Sequence, residues 1–190
     1  MRHLLRSVLI AALPLGGAVA LCPAAAAHPV QETDEIQVKA AMIAGFARYC
    51  DWPEKALPKE APLFVVGLIG PDDACGRIQK LIQGKKAGQR TIKVVRGASP
   101  ADLSEAHLVY LAPPEPAQAR ELLRSFRDAP VLTIGEVPGF AKEGGIVNFY
   151  LADVDGAMKV HFELNPDAAE RAGLKVTRLV KVAPKIVRDR

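Results

Sequence analysis

Apolar residues in this chain recur at two spacings, one typical of helices and the other of buried strands. Between residues 34 and 49 they stand three or four positions apart, which predicts an amphipathic helix over Asp34–Tyr49. The segment Leu63–Ile69 is instead apolar at nearly every position. A short apolar run without alternation is typical of a strand covered on both faces, as in a parallel sheet. Segments of the two kinds alternate further along the chain, which predicts a layered α/β arrangement.

Turn-forming residues separate the segments of the middle of the chain. Glycine, proline and aspartate stand between the apolar runs, where they end helices and open turns. Two helices and three strands are predicted in this region. They are helices over Cys75–Gln83 and Glu115–Phe126, and strands over Thr91–Val95, His107–Leu111 and Pro130–Gly135.

The last third of the chain predicts a hairpin followed by a helix. Gly145–Leu151 and Met158–Leu164 are predicted strands, and the Asp- and Gly-containing segment between them is typical of an antiparallel connection. Asn165 followed by Pro166 is a helix-start pattern, with Asn165 as the N-cap. The fold class that follows is α/β: a single domain with a mixed, mostly parallel sheet flanked by helices, and a C-terminal antiparallel hairpin.

The N-terminus has the three parts of an export signal. A positively charged start, an uncharged apolar stretch and a run of small residues follow one another up to Ala27. We therefore predict a signal peptide over residues 1–27, cleaved near Ala27, and a mature domain over residues 28–190. The apolar stretch is short for a membrane span, which needs about 20 residues. The expected localisation is the periplasm.

Charge gives this protein no strong electrostatic affinity for nucleic acid or membrane. The formal net charge of the whole chain is +4, and the predicted cleavage would remove two arginines from it. Basic residues gather near the C-terminus. We interpret that segment either as a solvated end or as a contact for an acidic partner or lipid headgroups. Its basic residues are Arg178, Lys181, Lys185, Arg188 and Arg190.

Two cysteines remain in the predicted mature chain, Cys50 and Cys75. An oxidising compartment permits a disulfide between them. The predicted strand between them spans roughly 23 Å, whereas bridged Cα atoms lie within about 7 Å. The long segment before that strand weakens this argument, so the sequence leaves both states open.

Candidate catalytic groups are few. The histidines lack ligand spacing with cysteine or carboxylates, so the sequence predicts no metal site. The candidates for a hydrolase are Asp153, Asp155, His161 and Glu163, but aspartates beside Gly156 are equally explained as turn formers. We therefore predict a binding protein without a cofactor, and not an enzyme.

Aromatic residues near the end of the first predicted helix are candidates for partner contact. Trp52, the only tryptophan, is either a core plug or an aromatic interface anchor. The same ambiguity applies to Phe46 and Tyr49. Asn148, in a predicted strand beside Phe149, either bonds a neighbouring loop or contacts a ligand in a cleft.

Several short segments, taken in their order and spacing, resemble the YfiR-like family of periplasmic proteins. The resemblance runs from about Val38 to Ala183. No single segment is specific, but their succession is. The segments are Phe46-Ala47-Arg48-Tyr49, Trp52-Pro53, Gly67-Leu68-Ile69-Gly70, Ala106-His107-Leu108-Val109-Tyr110, Val131-Leu132-Thr133-Ile134-Gly135, Gly144-Gly145-Ile146-Val147-Asn148-Phe149 and Phe162-Glu163-Leu164-Asn165.

The resemblance implies a regulator that binds the periplasmic sensory domain of an inner-membrane signalling protein. The best-known relative represses a diguanylate cyclase in this way, which controls cyclic di-GMP and biofilm, and relatives form homodimers. The family often has a cysteine where Ala106 stands, so redox control known for a relative is not carried over. The alternative is a small-molecule-binding module whose ligand controls partner contact. Expected partner-binding residues are Phe46, Tyr49, Trp52, Arg178 and Lys181, and the candidate cleft is at Asn148 and Phe149.

Overall fold

Strands and helices alternate along the chain, as the apolar spacing predicts. The computed structural model describes residues 32–113 and 115–189, and the predicted signal peptide lies outside them. The helices are α1 (Glu32–Tyr49), α2 (Asp72–Ile82), α3 (Pro116–Arg124), α4 (Pro166–Arg171) and α5 (Thr177–Val180). The strands are β1 (Leu63–Ile69), β2 (Lys86–Ala87), β3 (Arg90–Arg96), β4 (Leu108–Leu111), β5 (Leu132–Gly135), β6 (Val147–Val154), β7 (Ala157–Leu164) and β8 (Lys185–Ile186).

The described strands form one sheet in the order β2-β3-β1-β4-β5-β6-β7-β8. Strands β3, β1, β4, β5 and β6 are parallel to their neighbours in this series, whereas β6 and β7 pair antiparallel along their whole length. The predicted fold class is therefore confirmed, including the C-terminal hairpin.

Helices cover both faces of the parallel part of the sheet, which explains its apolar sequence. Every residue of β1 after Leu63 is buried. Phe64, Val66 and Leu68 join the core under α1 and α2, while Val65 and Ile69 join a second core under α3. Because both faces of β1 are buried, its sequence does not alternate between apolar and polar residues.

The structure differs from the sequence expectations at two connections. Helix α2 starts at Asp72, three residues before the predicted start at Cys75, so Asp72 and Asp73 stand in its first turn. The hairpin turn is also tighter than the predicted strand ends imply, because β6 continues to Val154 and β7 already begins at Ala157. Asp155 and Gly156 have φ angles of 57° and 80°, values that match the twist of a two-residue hairpin turn.

The C-terminal segment forms an edge strand of the sheet, and its described basic side chains remain exposed to solvent. Strand β8 pairs parallel with β7, and Val187 N–H donates to the Leu164 carbonyl oxygen at 2.9 Å. Lys185 Nζ lies 2.6 Å from a carboxylate oxygen of Glu163. Its basic residues are thus partly neutralised within the domain, which removes much of the charge that suggested an acidic partner.

Helix α1 is fixed to the sheet near its start by a buried ionic cluster. Lys39 is only 8% exposed, and its Nζ lies 2.8 Å from Glu136 Oε2 and 2.5 Å from Glu35 Oε1. Tyr110 OH donates to the other oxygen of Glu136. Burial opposes the charge on Lys39, but the attraction of Glu136 and Glu35 outweighs it and raises the pKa of the ammonium group.

Two glycines make room for the ring of Phe140, which is completely buried under the sheet. A Cβ atom on Gly135 would stand 2.5 Å from the ring, and one on Gly145 would stand 2.2 Å from it. The Gly145 Cβ would also lie 2.9 Å from the Phe140 carbonyl oxygen. All three distances are below van der Waals contact, so only glycine fits at these two positions while the ring keeps its place.

We expect Gly145→Ala to lower the free energy of unfolding by about 1–3 kcal/mol, because the added methyl group overpacks a closed core. Gly45→Ala is the matched control. Gly45 lies within α1 and an added Cβ would meet nothing within 4 Å, so this change should stabilise the helix by about 0.5–1 kcal/mol. Urea unfolding of residues 28–190, followed by Trp52 fluorescence, measures both effects. Equal stability of the two variants would contradict the packing around Phe140.

Candidate partner-binding surface

The end of α1 meets the C-terminal part of the chain in a short antiparallel bridge. Asp51 and Lys175 exchange two backbone hydrogen bonds, each 3.0 Å from nitrogen to oxygen. Arg178 adds a side-chain contact, with a guanidinium nitrogen 2.8 Å from Asp51 Oδ1. These bonds place Tyr49 on the same side of the molecule as α5. We call the surface formed by Tyr49, Arg178, Val180, Lys181 and Val182 the α1–α5 surface.

Apolar side chains are exposed across this surface. Tyr49 is 43% exposed, Val180 42% and Val182 61%. Beside them, a cavity of about 520 Å³ separates α4 from α5, with Leu174 and Val176 among its lining residues. An exposed group of apolar side chains beside a groove is a feature of protein interfaces.

Charged residues border the apolar side chains. Arg178 and Asp51 form an exposed ion pair, with 51% and 63% of their side chains accessible. Lys181 is also exposed. An exposed ion pair contributes little to stability.

The other two predicted partner-binding residues pack inward. Phe46 is 4% exposed, and its ring centroid lies 5.2 Å from that of Phe162 and 6.1 Å from that of Phe149. Trp52 is half-buried, donates its indole N–H to the His107 carbonyl oxygen at 3.0 Å, and meets Phe64 edge to face. In this conformation Phe46 belongs to the core, and Trp52 mainly closes the space between α1 and the sheet.

The predicted cleft residues lie on opposite faces of β6. Phe149 is 2% exposed within the core under α1. Asn148 is 4% exposed and stands between Gly135 of β5 and Glu163 of β7. Among the described residues, no group hydrogen-bonds to Asn148 Oδ1. The structure therefore does not bring these two side chains together around one opening.

The two strand carboxylates among the hydrolase candidates, Asp153 and Glu163, lie far apart along the hairpin. Asp153 lies opposite Met158, five residues from Glu163 along β7, which separates the two carboxylates by roughly 17 Å. Asp153 Oδ1 accepts a hydrogen bond from Gly156 N–H at 2.8 Å, so it stabilises the hairpin turn. Across residues 32–113 and 115–189, no group of three metal-ligating side chains comes together.

Cys50 and Cys75 are both free thiols and both buried. Burial, with the nearby charge of Asp51, raises the pKa of Cys50 to about 12. Burial also raises the pKa of Cys75. Thiols of this kind are protonated at neutral pH and react slowly, so neither cysteine is a candidate nucleophile in this conformation.

The described part of the chain is an α/β scaffold that leaves the apolar or aromatic side chains of Tyr49, Val180 and Val182 exposed. The family model described as YfiR/HmsC-like matches residues 36–184, which extend from α1 into the segment before β8. The chain belongs to the YfiR/HmsC-like family. This family is one of regulatory proteins associated with diguanylate cyclases in general.

The other comparisons are less informative. No curated protein matches the chain. It is similar to the crystal structure of a conserved domain protein from Vibrio cholerae O1 biovar El Tor, with a TM-score of 0.49 and 12% sequence identity. That match covers 80% of this chain and 60% of the other. Within the residues described, no helix has the length and apolar character needed to cross a membrane.

His107, whose carbonyl oxygen accepts the indole N–H of Trp52, is a half-buried group whose protonation would disturb its surroundings. Its Nδ1 accepts a hydrogen bond from Val65 N–H at 2.9 Å, and its ring stacks on Phe64 with centroids 5.3 Å apart. Only the unprotonated nitrogen can accept this bond. Burial lowers the pKa of His107 below its ordinary value of 6.5.

We expect the domain to lose stability as the pH falls below about 6.5, because the unfolded chain then protonates this histidine while the folded chain resists protonation. Urea unfolding at pH 7.5 and 5.5, read by Trp52 fluorescence, measures the loss. His107→Asn should reduce the difference between the two pH values, whereas the control His161→Asn should keep it. An unchanged difference in His107→Asn would show that other groups carry the pH dependence.

Proposed function

We propose that this protein is a periplasmic regulator that binds the sensory domain of an inner-membrane signalling protein, a diguanylate cyclase, and represses it. The observation that carries the proposal is the α1–α5 surface, which is apolar, partly aromatic and bordered by charge. Membership of the YfiR/HmsC-like family supports the regulatory role. Release of the partner would raise cyclic di-GMP and favour biofilm.

The α1–α5 surface suits the centre of such an interface. Binding energy in protein complexes concentrates in a few apolar or aromatic side chains that a charged border shields from water. Tyr49, Val180 and Val182 supply exposed apolar or aromatic side chains for such a centre, and Arg178 and Lys181 supply exposed charges for its border. A standard interface covers about 800 Å² on each partner. We expect the contact to extend into the groove between α4 and α5.

Repression requires that the regulator bind the inactive form of the sensor more tightly than the active form. A rigid surface does this by stabilising one arrangement of the sensory domain. The two backbone hydrogen bonds between Asp51 and Lys175 restrain this surface, since they join the segment just after α1 to the segment that leads into α5. We infer in addition that the protein acts as a homodimer, as its family resemblance implies.

The test is a pull-down from membranes. Tagged residues 28–190 are exported, cross-linked and purified from detergent-solubilised membranes, and the co-purifying proteins are identified. We expect to recover a diguanylate cyclase with a periplasmic domain. We expect Val180→Glu/Val182→Glu to lower its recovery about tenfold or more, because the change removes one or two contacts at the centre of the interface.

The matched control is Leu151→Glu/Met158→Glu. These residues are 42% and 43% exposed on the β6–β7 hairpin, so the change in charge is the same and the exposure similar. Recovery should survive in this control. Equal loss in both variants would mean that added charge alone weakens binding, and loss only in the control would move the partner surface to the hairpin.

A second candidate function is a small-molecule-binding module whose ligand controls partner contact. A cavity of about 330 Å³ opens near the carboxyl ends of β1 and β4, and Ile69, Pro113 and Leu122 are among its lining residues. The connections after these two strands lead to opposite faces of the sheet, α2 on one and α3 on the other. Ligands of open α/β sheets bind at such a point.

Thermal unfolding against a panel of metabolites tests this second function. A ligand held only by the folded protein raises the midpoint temperature. We expect Leu122→Trp, which fills the cavity, to abolish the shift caused by any such ligand. A shift that persists in this variant would place the ligand elsewhere, and a panel without any shift would leave the protein-binding function as the better proposal.

A further inference from the structure

Helix α3 carries its arginines on one side. Arg120, Arg124 and Arg127 stand four and three residues apart, the spacing that puts side chains on one helical face. Arg127 lies just beyond the end of α3, but its N–H still bonds the Arg124 carbonyl oxygen at 3.5 Å, so the helical turn continues. The three guanidinium groups therefore project from neighbouring turns of one face.

These arginines line a groove of about 260 Å³ together with Leu123 and Glu143. Leu123 is 4% exposed and forms an apolar floor. Glu143 comes from a short 3₁₀ turn, Ala141–Glu143, that follows β5. The groove is thus formed by two separate parts of the chain, and it differs in this respect from a row of charges on a single exposed helix.

The lining of the groove carries more positive than negative charge. Arg120 Nε lies 2.6 Å from Glu143 Oε2, so one of the three arginines is already in an ion pair. Within the residues that the structure describes, no carboxylate pairs with the side chain of Arg124 or Arg127. Three arginines against one glutamate leave two guanidinium groups available to an anion.

Acidic residues of α3 do not compensate this excess within the groove. Glu121 lies on another side of the helix, where it lines the cavity near Ile69 together with Gln118 and Ser125. Basic residues near a helix C-terminus also interact favourably with the helix dipole. That effect accounts for arginines in the last turn, but it does not account for their convergence with Glu143 on one groove.

We propose that this groove binds a doubly charged oxyanion, the phosphate group of a small ligand. The guanidinium group presents a planar fork of donors that matches phosphate oxygens two at a time, and Arg124 and Arg127 supply two such forks. Arg120 becomes a third ligand when the anion displaces the carboxylate of Glu143 from its guanidinium group. The groove holds one such group over the apolar floor of Leu123. This site is on α3, so it is distinct from the α1–α5 surface.

The experiment is a titration of residues 28–190 with inorganic phosphate at pH 7.5, with sodium chloride at matched ionic strength as the reference. Backbone amide shifts in the NMR spectrum locate the site, and we expect saturable shifts centred on residues 120–127 and 141–145. Arg124→Gln/Arg127→Gln should weaken binding about tenfold or more, as expected for the loss of two charge-assisted contacts. Glu143→Gln should tighten it, because Arg120 is then released from its carboxylate.

The matched control is Lys55→Gln/Lys59→Gln, which removes the same charge from an exposed loop. It should bind phosphate as the unaltered protein does. Shifts that do not saturate, or equal weakening in the control and the arginine variant, would overturn the proposal. Vesicles of phosphatidylglycerol form a second arm. Binding to these vesicles without binding to inorganic phosphate would assign the groove to a membrane surface and would also overturn the small-ligand site.

Discussion

A buried ion pair holds the first half of α1 to the sheet. Lys39 of α1 reaches Glu136 beyond the end of β5, and Tyr110 of β4 fixes the same carboxylate. Removal of either charged partner would weaken this attachment, since Lys39 would keep only Glu35 and Glu136 would keep only the hydroxyl group of Tyr110. Because α1 covers one face of the sheet and the segment just after it bonds the segment before α5, this pair helps to fix both the core and the position of the α1–α5 surface.

The sequence predicts those parts of the fold that local signals determine. Strand β1, the hairpin and the start of α4 follow from residues within each segment, and Asn165 indeed accepts a bond from Ala168 N–H. Strands β2 and β8 have two residues each, so their apolar spacing carries no signal. They form because tertiary pairing places each of them at an edge of the sheet, so the strand pairing of the C-terminal segment could not be predicted from its own residues.

The candidate site was predictable only in part, for a geometric reason. Phe46 and Tyr49 stand three residues apart on one helix, yet one is buried and the other is 43% exposed. Their difference depends on where β6 and β7 end beneath α1, which no local pattern encodes. The arginine groove shows the same limit, since Glu143 is 23 residues from Arg120 and the two meet only through the fold. The two proposed sites belong to helices on opposite faces of the sheet, so a partner and a small anion can be bound together.

The fit of the Phe140 ring between Gly135 and Gly145 has a consequence for how the sequence can change during evolution. The three positions are equally spaced, five residues apart, and the ring restricts both glycines. A lineage that keeps the aromatic ring must keep both glycines. One that replaces the ring with a smaller side chain loses the restriction at Gly135 but keeps part of it at Gly145, because a Cβ there would still lie 2.9 Å from the backbone carbonyl oxygen of residue 140. Gly135 and Phe140 should therefore change together while Gly145 changes more rarely, and a glycine, four residues, a phenylalanine, four residues and a glycine form a short signature by which this packing can be recognised in a distant sequence.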